Sequence, residues 1–202
     1  MDSEEMEILF ATGNSHKVSE ASETLAQFGY FVSQMKIDGK VPELKEPQAE
    51  GIGEVALSKI MQAMELVRGT EMEKSAILVE DSGIFIDSLD GFPGPYSSYV
   101  ERTIGLGGIL NLLRTEENRR AEYRAVAVIS IEGEIISATG VCPGTISGEI
   151  SGDLGFGYDP IFIPDEGDGR TCGELSPVEK SEISHRGRAL KALSERLNLP
   201  SK

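Results

Sequence analysis

Cysteine, histidine and positive charge are all scarce in this 202-residue chain. The two cysteines, Cys142 and Cys172, are too few for a disulfide framework and suit a reducing compartment. Lys and Arg number 19 against 34 Asp and Glu, which gives a formal net charge of −15. That balance argues against duplex nucleic acid or an anionic membrane as a partner, because both require a basic face. A small anion held in a local basic pocket remains compatible with it.

Long apolar runs, internal repeats, low-complexity tracts and Pro/Ser-rich linkers are also missing. No apolar stretch approaches the roughly 20 residues that a membrane-spanning helix needs. The first residues, MDSEEMEILFATGN, are acidic with a strand-sized apolar run, so we expect neither a secretory signal nor a transit peptide. We therefore expect one soluble, cytoplasmic domain over residues 1–202.

Hydrophobic spacing in the first half alternates between strand and helix patterns. The segments EMEILFAT, YFVSQMKI and SAILVEDSG are typical of strands, the last ending in two acids. Helical spacing extends from Ser15 to Phe28 and through GEVALSKIMQAMELV. This alternation predicts an α/β fold.

The second half is richer in strands. GIFIDSL is predicted to return as a separate strand, GFPGPYSSY to be a loop, and TIGLGGILNLL to be helical in its second half. A hairpin is predicted around Glu132-Gly133, GTISGEI continues the sheet, and IFIP precedes a closing amphipathic helix within EKSEISHRGRALKAL. Consecutive strands without helices between them give this half α+β character.

The segment TGNSHK is a candidate anion site. A strand ending in Thr12-Gly13-Asn14 that opens a helix presents backbone N–H groups and the positive helix end at one place. Lys17, one turn later, can turn toward the same anion. The alternative is that Asn14 or Ser15 only caps the helix while Lys17 is solvated.

The segment VEDSG places two acids at the end of a predicted strand. Glu80 and Asp81 are adjacent, so they should point to opposite faces of the sheet. A carboxylate beside a phosphate site requires a cation between them, and Mg²⁺ is the usual choice. The loop PELKEPQAE offers Glu43, Glu46 and Glu50 as a second ligand, and spacing does not choose among them. The alternative is a solvated acidic loop.

Two further segments contain an exposed ring and a basic cluster. In GFGYDP, Phe156 can stack on a nucleotide base or belong to the core. Asp159, expected to be extended before Pro160, can present its carboxylate or backbone to a ligand or serve only as a turn residue. In EKSEISHRGRALKAL, the basic residues can hold an anion or form the solvated face of a helix.

Taken together and in this order, the segments TGNSHK, EDSG, GFPGPYSSY, GFGYDPIFIP and EKSEISHRGRALKAL closely resemble the inosine triphosphate pyrophosphatase family. The resemblance covers Ile8 to about Leu197. It implies an elongated mixed α/β fold with a long central sheet, a cleft between two lobes and a homodimer. It also implies hydrolysis of ITP, dITP or XTP to the monophosphate and pyrophosphate with Mg²⁺, with Mn²⁺ as the alternative metal.

The resemblance assigns roles to individual residues. Asp81 is the implied metal ligand and general base, and Glu46 the second metal ligand, with Glu43 as an alternative. Lys59 falls near a phosphate-contacting lysine. The remaining implied substrate contacts form three groups. Toward phosphate lie Thr12, Gly13, Asn14, Lys17 and Ser82, with Gly83 as an additional candidate. Around the base lie Phe156, Gly157, Tyr158 and Asp159, and the clamp consists of Lys180, His185 and Arg186. Tyr158 stands where the family often has Trp.

Selectivity is expected at the purine 6-position. ITP and XTP present an oxygen acceptor there, which Arg186 or a backbone N–H can meet, whereas ATP presents an amino donor. Two other functions remain open on the sequence: a pyrophosphatase for other modified or pyrimidine nucleotides, and a nucleotide-binding regulator without turnover.

Overall fold

The computed structural model describes residues 6–197, and within them the chain forms six β-strands and five α-helices. The strands are β1 (Met6–Phe10), β2 (Tyr30–Gln34), β3 (Ala76–Ile86), β4 (Arg120–Ile131), β5 (Glu134–Ile146) and β6 (Phe162–Pro164). The helices are α1 (Ser15–Ala26), α2 (Ile52–Val67), α3 (Ser97–Leu112), α4 (Pro177–Ile183) and α5 (His185–Leu197). Glu5, where the first predicted strand begins, lies outside the described residues.

The six strands form one mixed sheet in the order β2-β1-β3-β4-β5-β6. β1 pairs in parallel with both β2 and β3, whereas β6 is antiparallel to β5. β4 and β5 are joined by Glu132 and Gly133, with φ of 49° and 83°. Two left-handed residues are what a tight hairpin turn requires, so the predicted hairpin is confirmed. The predicted mixed α/β class is confirmed as well.

The backbone packs as two compact units. Over the described residues, the first contains residues 6–81, 126–139 and 189–197, and the second contains residues 82–125 and 140–188. β3, β4 and β5 each contribute residues to both units. Each unit has its own core. Met35, Ile60 and Ile77 belong to the first core, and Ile109 and Phe162 to the second.

Both cysteines are free thiols buried in the second unit, where Cys142 and Cys172 belong to the same core. Burial raises the pKa of Cys142 to about 11. The thiol is therefore protonated near neutral pH. Over the described residues, no helix is long and apolar enough to span a membrane.

β3 corrects the prediction of two separate strands around the EDSG segment. It is continuous from Ala76 to Ile86, so Asp81, Ser82 and Gly83 lie inside a strand. Gly83 has a packing reason: a Cβ there would lie 2.2 Å from the carbonyl oxygen of Gly94. Ser97 Oγ donates to the Gly94 carbonyl at 2.6 Å and accepts from the N–H of Ile84 at 2.9 Å. Close backbone approach, and not a turn, therefore explains this glycine.

The GFPGPYSSY segment is less irregular than predicted. Gly94–Tyr96 forms a 3₁₀ turn, and α3 begins directly after it at Ser97. Its prolines precede the helix, where a missing N–H breaks no helical hydrogen bond. α3 is interrupted at Gly105, whose φ is 66° and ψ is −175°.

The closing segment is two helices, where one was predicted. Ser184 has extended dihedrals, φ −68° and ψ 149°, and separates α4 from α5. Its Oγ accepts a hydrogen bond from the N–H of Gly187 at 3.0 Å, which caps the start of α5. The break places His185 and Arg186 in the first turn of a new helix.

Candidate active site

The TGNSHK loop caps α1 with its own asparagine. Asn14 Oδ1 accepts from the backbone N–H groups of His16 and Lys17 at 2.9 and 3.4 Å. The N–H of Asn14 in turn donates to Thr12 Oγ1 at 3.2 Å, and Gln34 donates to the Thr12 carbonyl at 2.8 Å. Asn14 therefore caps α1, as the alternative interpretation predicted. Hydrogen bonds from Asn14 and Gln34 hold Thr12 in the loop.

Lys17 is not a solvated residue. Its Nζ lies 2.6 Å from Glu80 Oε2, and only 16% of the Lys17 side chain is exposed. Glu80 is buried. The Glu80 carboxylate thus has a positive partner from the first turn of α1, and an anion arriving at Lys17 would share that lysine with it.

Asp81, the next residue on β3, meets a different lysine. Lys59, from α2, places its Nζ 2.6 Å from Asp81 Oδ1 and 2.6 Å from Glu46 Oε1. The side chains of Lys59 and Asp81 are 11% and 8% exposed, whereas that of Glu46 is 58% exposed. Glu80 and Asp81 therefore have separate partners, as expected for adjacent residues on a strand.

The electrostatics of this pair favour a charged lysine. Burial raises the pKa of Asp81 above its ordinary value, and the charge of Lys59 offsets this only in part. Burial works against the charge on Lys59, but Asp81 and Glu46 outweigh it, so the pKa of Lys59 is also raised. A carboxyl with a raised pKa is a better proton acceptor than an exposed aspartate.

Gln62 fixes the chain next to Glu46. Its side-chain amide accepts from the N–H of Lys45 and donates to the carbonyl of Lys45, both at 2.8 Å. Gln62 follows Lys59 by three residues on α2, so the two side chains lie on one helix face. α2 therefore holds both the backbone before Glu46 and its carboxylate. We call Lys17, Glu46, Lys59, Glu80 and Asp81 the acid–lysine cluster.

The chemistry of this donor set suits a hard divalent cation. Glu46 and Asp81 supply carboxylate oxygens that already meet on one positive group, the Lys59 ammonium. Within residues 6–197, no group of three or more His, Cys, Asp or Glu side chains could hold a metal on its own. Mg²⁺ commonly takes only one or two carboxylates and completes its shell with water and phosphate oxygens. The residues present therefore fit such an ion.

A second set of predicted residues gathers around Phe156 in the second unit. Lys180 Nζ lies 4.7 Å from the centre of the Phe156 ring, and Arg186 Cζ lies 5.4 Å from it. Both distances are within the range of cation–π attraction. Lys180 also pairs with Asp159 Oδ2 at 2.7 Å. The ring, which is half-buried, thus lies beside two buried cations.

Asp159 organises the GFGYDP turn. The same Oδ2 that meets Lys180 accepts from the backbone N–H of Phe156 at 2.8 Å. Gly155 makes room for this carboxylate: its φ is 75°, and a Cβ would lie 2.2 Å from Asp159 Oδ2. Asp159 thus holds the loop, as its interpretation as a turn residue predicted. Its backbone begins a 3₁₀ turn, Asp159–Ile161, so the predicted extended conformation is wrong.

Two other predicted base contacts have packing partners of their own. The ring of Tyr158 is a core side chain, and its hydroxyl donates to the carbonyl of Ser97 at 2.8 Å. The ring of His185 stacks on Tyr123, with centroids 4.4 Å apart and planes 6° from parallel. One face of the imidazole is therefore covered.

Arg186 is the largest fully buried side chain of the protein's described part, at 1% exposed. Its Nη2 donates to Ser82 Oγ at 3.1 Å. Burial of a guanidinium is costly unless its donors find acceptors, and the Ser82 hydroxyl is one such acceptor. We call Phe156, Asp159, Lys180, His185 and Arg186 the ring–cation cluster.

The structure therefore brings the predicted residues together as two sets. Gln62 was not predicted as a site residue, and no partner was predicted for Glu80 or His185. The helical spacing indicates that Lys59 and Gln62 share one helix face, but nothing in the sequence links that face to the acidic loop. Likewise, no local pattern connects Tyr123 with His185.

This chain is similar to known proteins over nearly its whole length. A profile described as the Ham1 family matches residues 8–196. A protein of Pyrococcus horikoshii named dITP/XTP pyrophosphatase is 44% identical over 194 residues, covering 96% of this chain and 98% of its own. A protein of Methanopyrus kandleri with the same name is 44% identical, covering 94% and 95%.

Solved structures agree with the sequence matches. The Staphylococcus aureus Ham1 protein superposes with a TM-score of 0.78 at 27% identity, covering 95% of this chain and 97% of that one. A nucleoside-triphosphatase, dITP/XTP pyrophosphatase, from Mycobacterium abscessus gives 0.68 at 31% identity, covering 96% and 100%.

Proposed function

Because this chain belongs to the Ham1 family, we propose that it hydrolyses non-standard purine nucleoside triphosphates, namely ITP, dITP and XTP. The products are the nucleoside monophosphate and pyrophosphate. The bond broken belongs to the phosphoanhydride that links the α and β phosphates. The observation that carries the proposal is that Glu46 and Asp81, far apart in the sequence, both contact the ammonium group of Lys59.

The acid–lysine cluster is assigned to the triphosphate. Lys17 lies in the first turn of α1, next to the loop of Thr12, Gly13 and Asn14. Its ammonium and the positive end of that helix stabilise negative charge that builds up on the pyrophosphate leaving group. Lys17 exchanges part of its contact with Glu80 for phosphate oxygens.

Asp81 is assigned as the general base. Its carboxylate accepts the proton of the attacking water, as a positioned general base. Glu46 and Asp81 would hold Mg²⁺, which when bound supplies charge neutralisation on the phosphates and orients the water. No covalent enzyme intermediate is required.

The ring–cation cluster is assigned to the purine. The half-buried ring of Phe156 offers a flat face for a base, and stacking of this kind contributes on the order of 1–3 kcal/mol. Arg186, a permanent donor, favours the 6-oxygen of hypoxanthine and xanthine over the 6-amino group of adenine. A donor facing a donor leaves both groups unsatisfied.

A coupled phosphate assay tests the proposal. The protein is incubated with Mg²⁺ and one of ITP, dITP, XTP, ATP, GTP, UTP or dTTP, with and without added inorganic pyrophosphatase. We expect phosphate from ITP, dITP and XTP only when the helper enzyme is present, since pyrophosphate is the product.

Each other outcome contradicts a different part. Phosphate without the helper enzyme means stepwise removal of the γ-phosphate. Faster turnover of UTP or dTTP than of ITP means that the base assignment is wrong. No product from any nucleotide, with binding retained, means a regulator in place of an enzyme.

A further inference from the structure

Within the acid–lysine cluster, Lys59 joins the two proposed metal ligands, Glu46 and Asp81. Its single ammonium contacts Asp81 and Glu46 at 2.6 Å each, so one positive charge serves two carboxylates. The lysine and Asp81 are largely buried, and Gln62 fixes the backbone beside Glu46. The carboxylates are therefore already gathered around a cation before any ligand arrives.

An ammonium and a divalent ion cannot share this position. Mg²⁺ requires oxygens at about 2.0–2.1 Å, closer than the ammonium contacts, and repels a positive neighbour. Lysine is suited to leaving, because its charge lies at the end of a flexible four-carbon stem. Whichever cation is bound between the two carboxylates excludes the other.

We propose that Lys59 is an internal counter-ion, which holds Glu46 and Asp81 together in the metal-free protein and is displaced when the metal binds. The inference rests on the proposed function, since it takes these two acids as the metal ligands. The free protein therefore binds the metal weakly. The apparent affinity is reduced by the fraction of molecules in which Lys59 has left the carboxylates.

The displaced ammonium requires a new anionic partner, and a bound triphosphate supplies one. Metal and nucleotide then assist each other: the metal releases Lys59, and phosphate oxygens accept it. The site would therefore bind metal when substrate is present, and Lys59 would occupy it when substrate is absent.

Binding of Mn²⁺ to the nucleotide-free protein, followed by the electron paramagnetic resonance of the free ion, tests the exchange. We expect Lys59→Met to bind Mn²⁺ about tenfold more tightly than the parent, as for a parent that is about 10% competent. Lys45→Met is the matched control, because it removes the same charge from an exposed residue adjacent to Glu46. Its affinity should stay within about twofold of the parent.

A second measurement uses the unmodified protein and does not depend on the stability of a variant. Lysines are acylated briefly, and the extent at Lys59 is compared with that at Lys45 by mass spectrometry. Saturating Mg²⁺ should increase the labelling of Lys59 several-fold relative to Lys45.

Equal or weaker Mn²⁺ binding by Lys59→Met, or Lys59 labelling that Mg²⁺ leaves unchanged or lowers, overturns the inference. If pyrophosphate release is intact in that case, the proposed function stands without it. If neither protein binds Mn²⁺ and the phosphate assay is silent as well, both fail together.

Discussion

The acid–lysine cluster and the ring–cation cluster use positive charge in different ways. In the first, each lysine pairs with carboxylates, so an arriving anion or metal must exchange with an existing ion pair. In the second, Lys180 and Arg186 lie beside an aromatic ring, and Asp159, the carboxylate that pairs with Lys180, also accepts from the backbone of the ring's own loop. The first cluster is thus suited to exchange of ions, and the second to a rigid surface for a flat group.

The largest expected effect belongs to the first cluster. Asp81→Asn removes the proton acceptor, so kcat/KM for ITP should fall about 10²–10⁴-fold. The change is nearly isosteric, and circular dichroism should show an unchanged fold. Pyrophosphate release measured at saturating Mg²⁺ checks this, and a variant that retains more than a tenth of the parent rate contradicts the role.

Specificity separates the two clusters more sharply than rate does. Arg186→Ala should lower the ratio of kcat/KM for ITP to that for ATP about tenfold, because an unmet buried polar group costs roughly 1–3 kcal/mol. Lys17→Ala should weaken both nucleotides alike and leave the ratio unchanged. Equal changes of the ratio in the two variants would show that the clusters do not divide phosphate and base between them.

Gln62 tests whether the first cluster depends on its backbone support. Gln62→Leu removes both hydrogen bonds to Lys45. The Mg²⁺ concentration for half-maximal rate should rise about tenfold, as is typical when groups that orient a metal ligand are lost. Gln27→Leu, at the exposed residue that directly follows α1, is the control and should change little. If instead only kcat falls and the Mg²⁺ dependence is unchanged, Gln62 does not position Glu46.

Gly155 provides the corresponding test of the second cluster. Gly155→Ala adds a methyl group that collides with the Asp159 carboxylate in addition to a left-handed φ. Gly169→Ala has the same kind of strain, at a φ of 92°, with nothing within 4 Å of its Cβ, and should cost about 1–2 kcal/mol of unfolding free energy. Denaturant titration should show a clearly larger loss for Gly155→Ala. Equal losses would mean that the contact with Asp159 contributes nothing.

The smallest expected effect concerns the start of α4, which positions Lys180. Hydrogen bonds from Arg170 and then from Ser176 lower the pKa of Glu179 to about 2. A carboxyl with a lowered folded pKa stabilises the fold above its unfolded pKa, and that contribution is lost as the pH falls toward 2. Glu179→Gln should therefore melt at a lower temperature than the parent at pH 7. The difference should narrow between pH 4.5 and 2, whereas the exposed Glu182→Gln on the same helix should match the parent throughout.

Local chemistry predicted much of the fold. The strand at β1, the helices α1 and α2 and the hairpin at Glu132-Gly133 follow from periodicity and turn residues. The continuity of β3 was not predicted, because Ser82 and Gly83 are typical of a turn. Their place inside a strand depends on Gly94 and Ser97, which are distant in sequence. The break at Ser184 was also missed, because the apolar spacing continues across it.

The site was predictable as a set of residues but not as a set of contacts. Motifs drew attention to Asp81, Glu46 and Lys180, whereas the pairing of Lys17 with Glu80 or of Tyr123 with His185 requires segments far apart to meet. Roles are least predictable where a motif residue serves the loop that contains it. Asp159 and Tyr158 are predicted beside the base, and in the structure their side chains form hydrogen bonds within the protein.

The placement of both thiols in one half of the protein makes them a natural reporter. Cys142 and Cys172 are the chain's two cysteines, and both lie in the core of the second unit. Alkylation of the native protein by a neutral reagent would therefore report exposure of that core without an engineered label. An opening confined to the first unit, which contains Asp81, would leave both thiols unmodified.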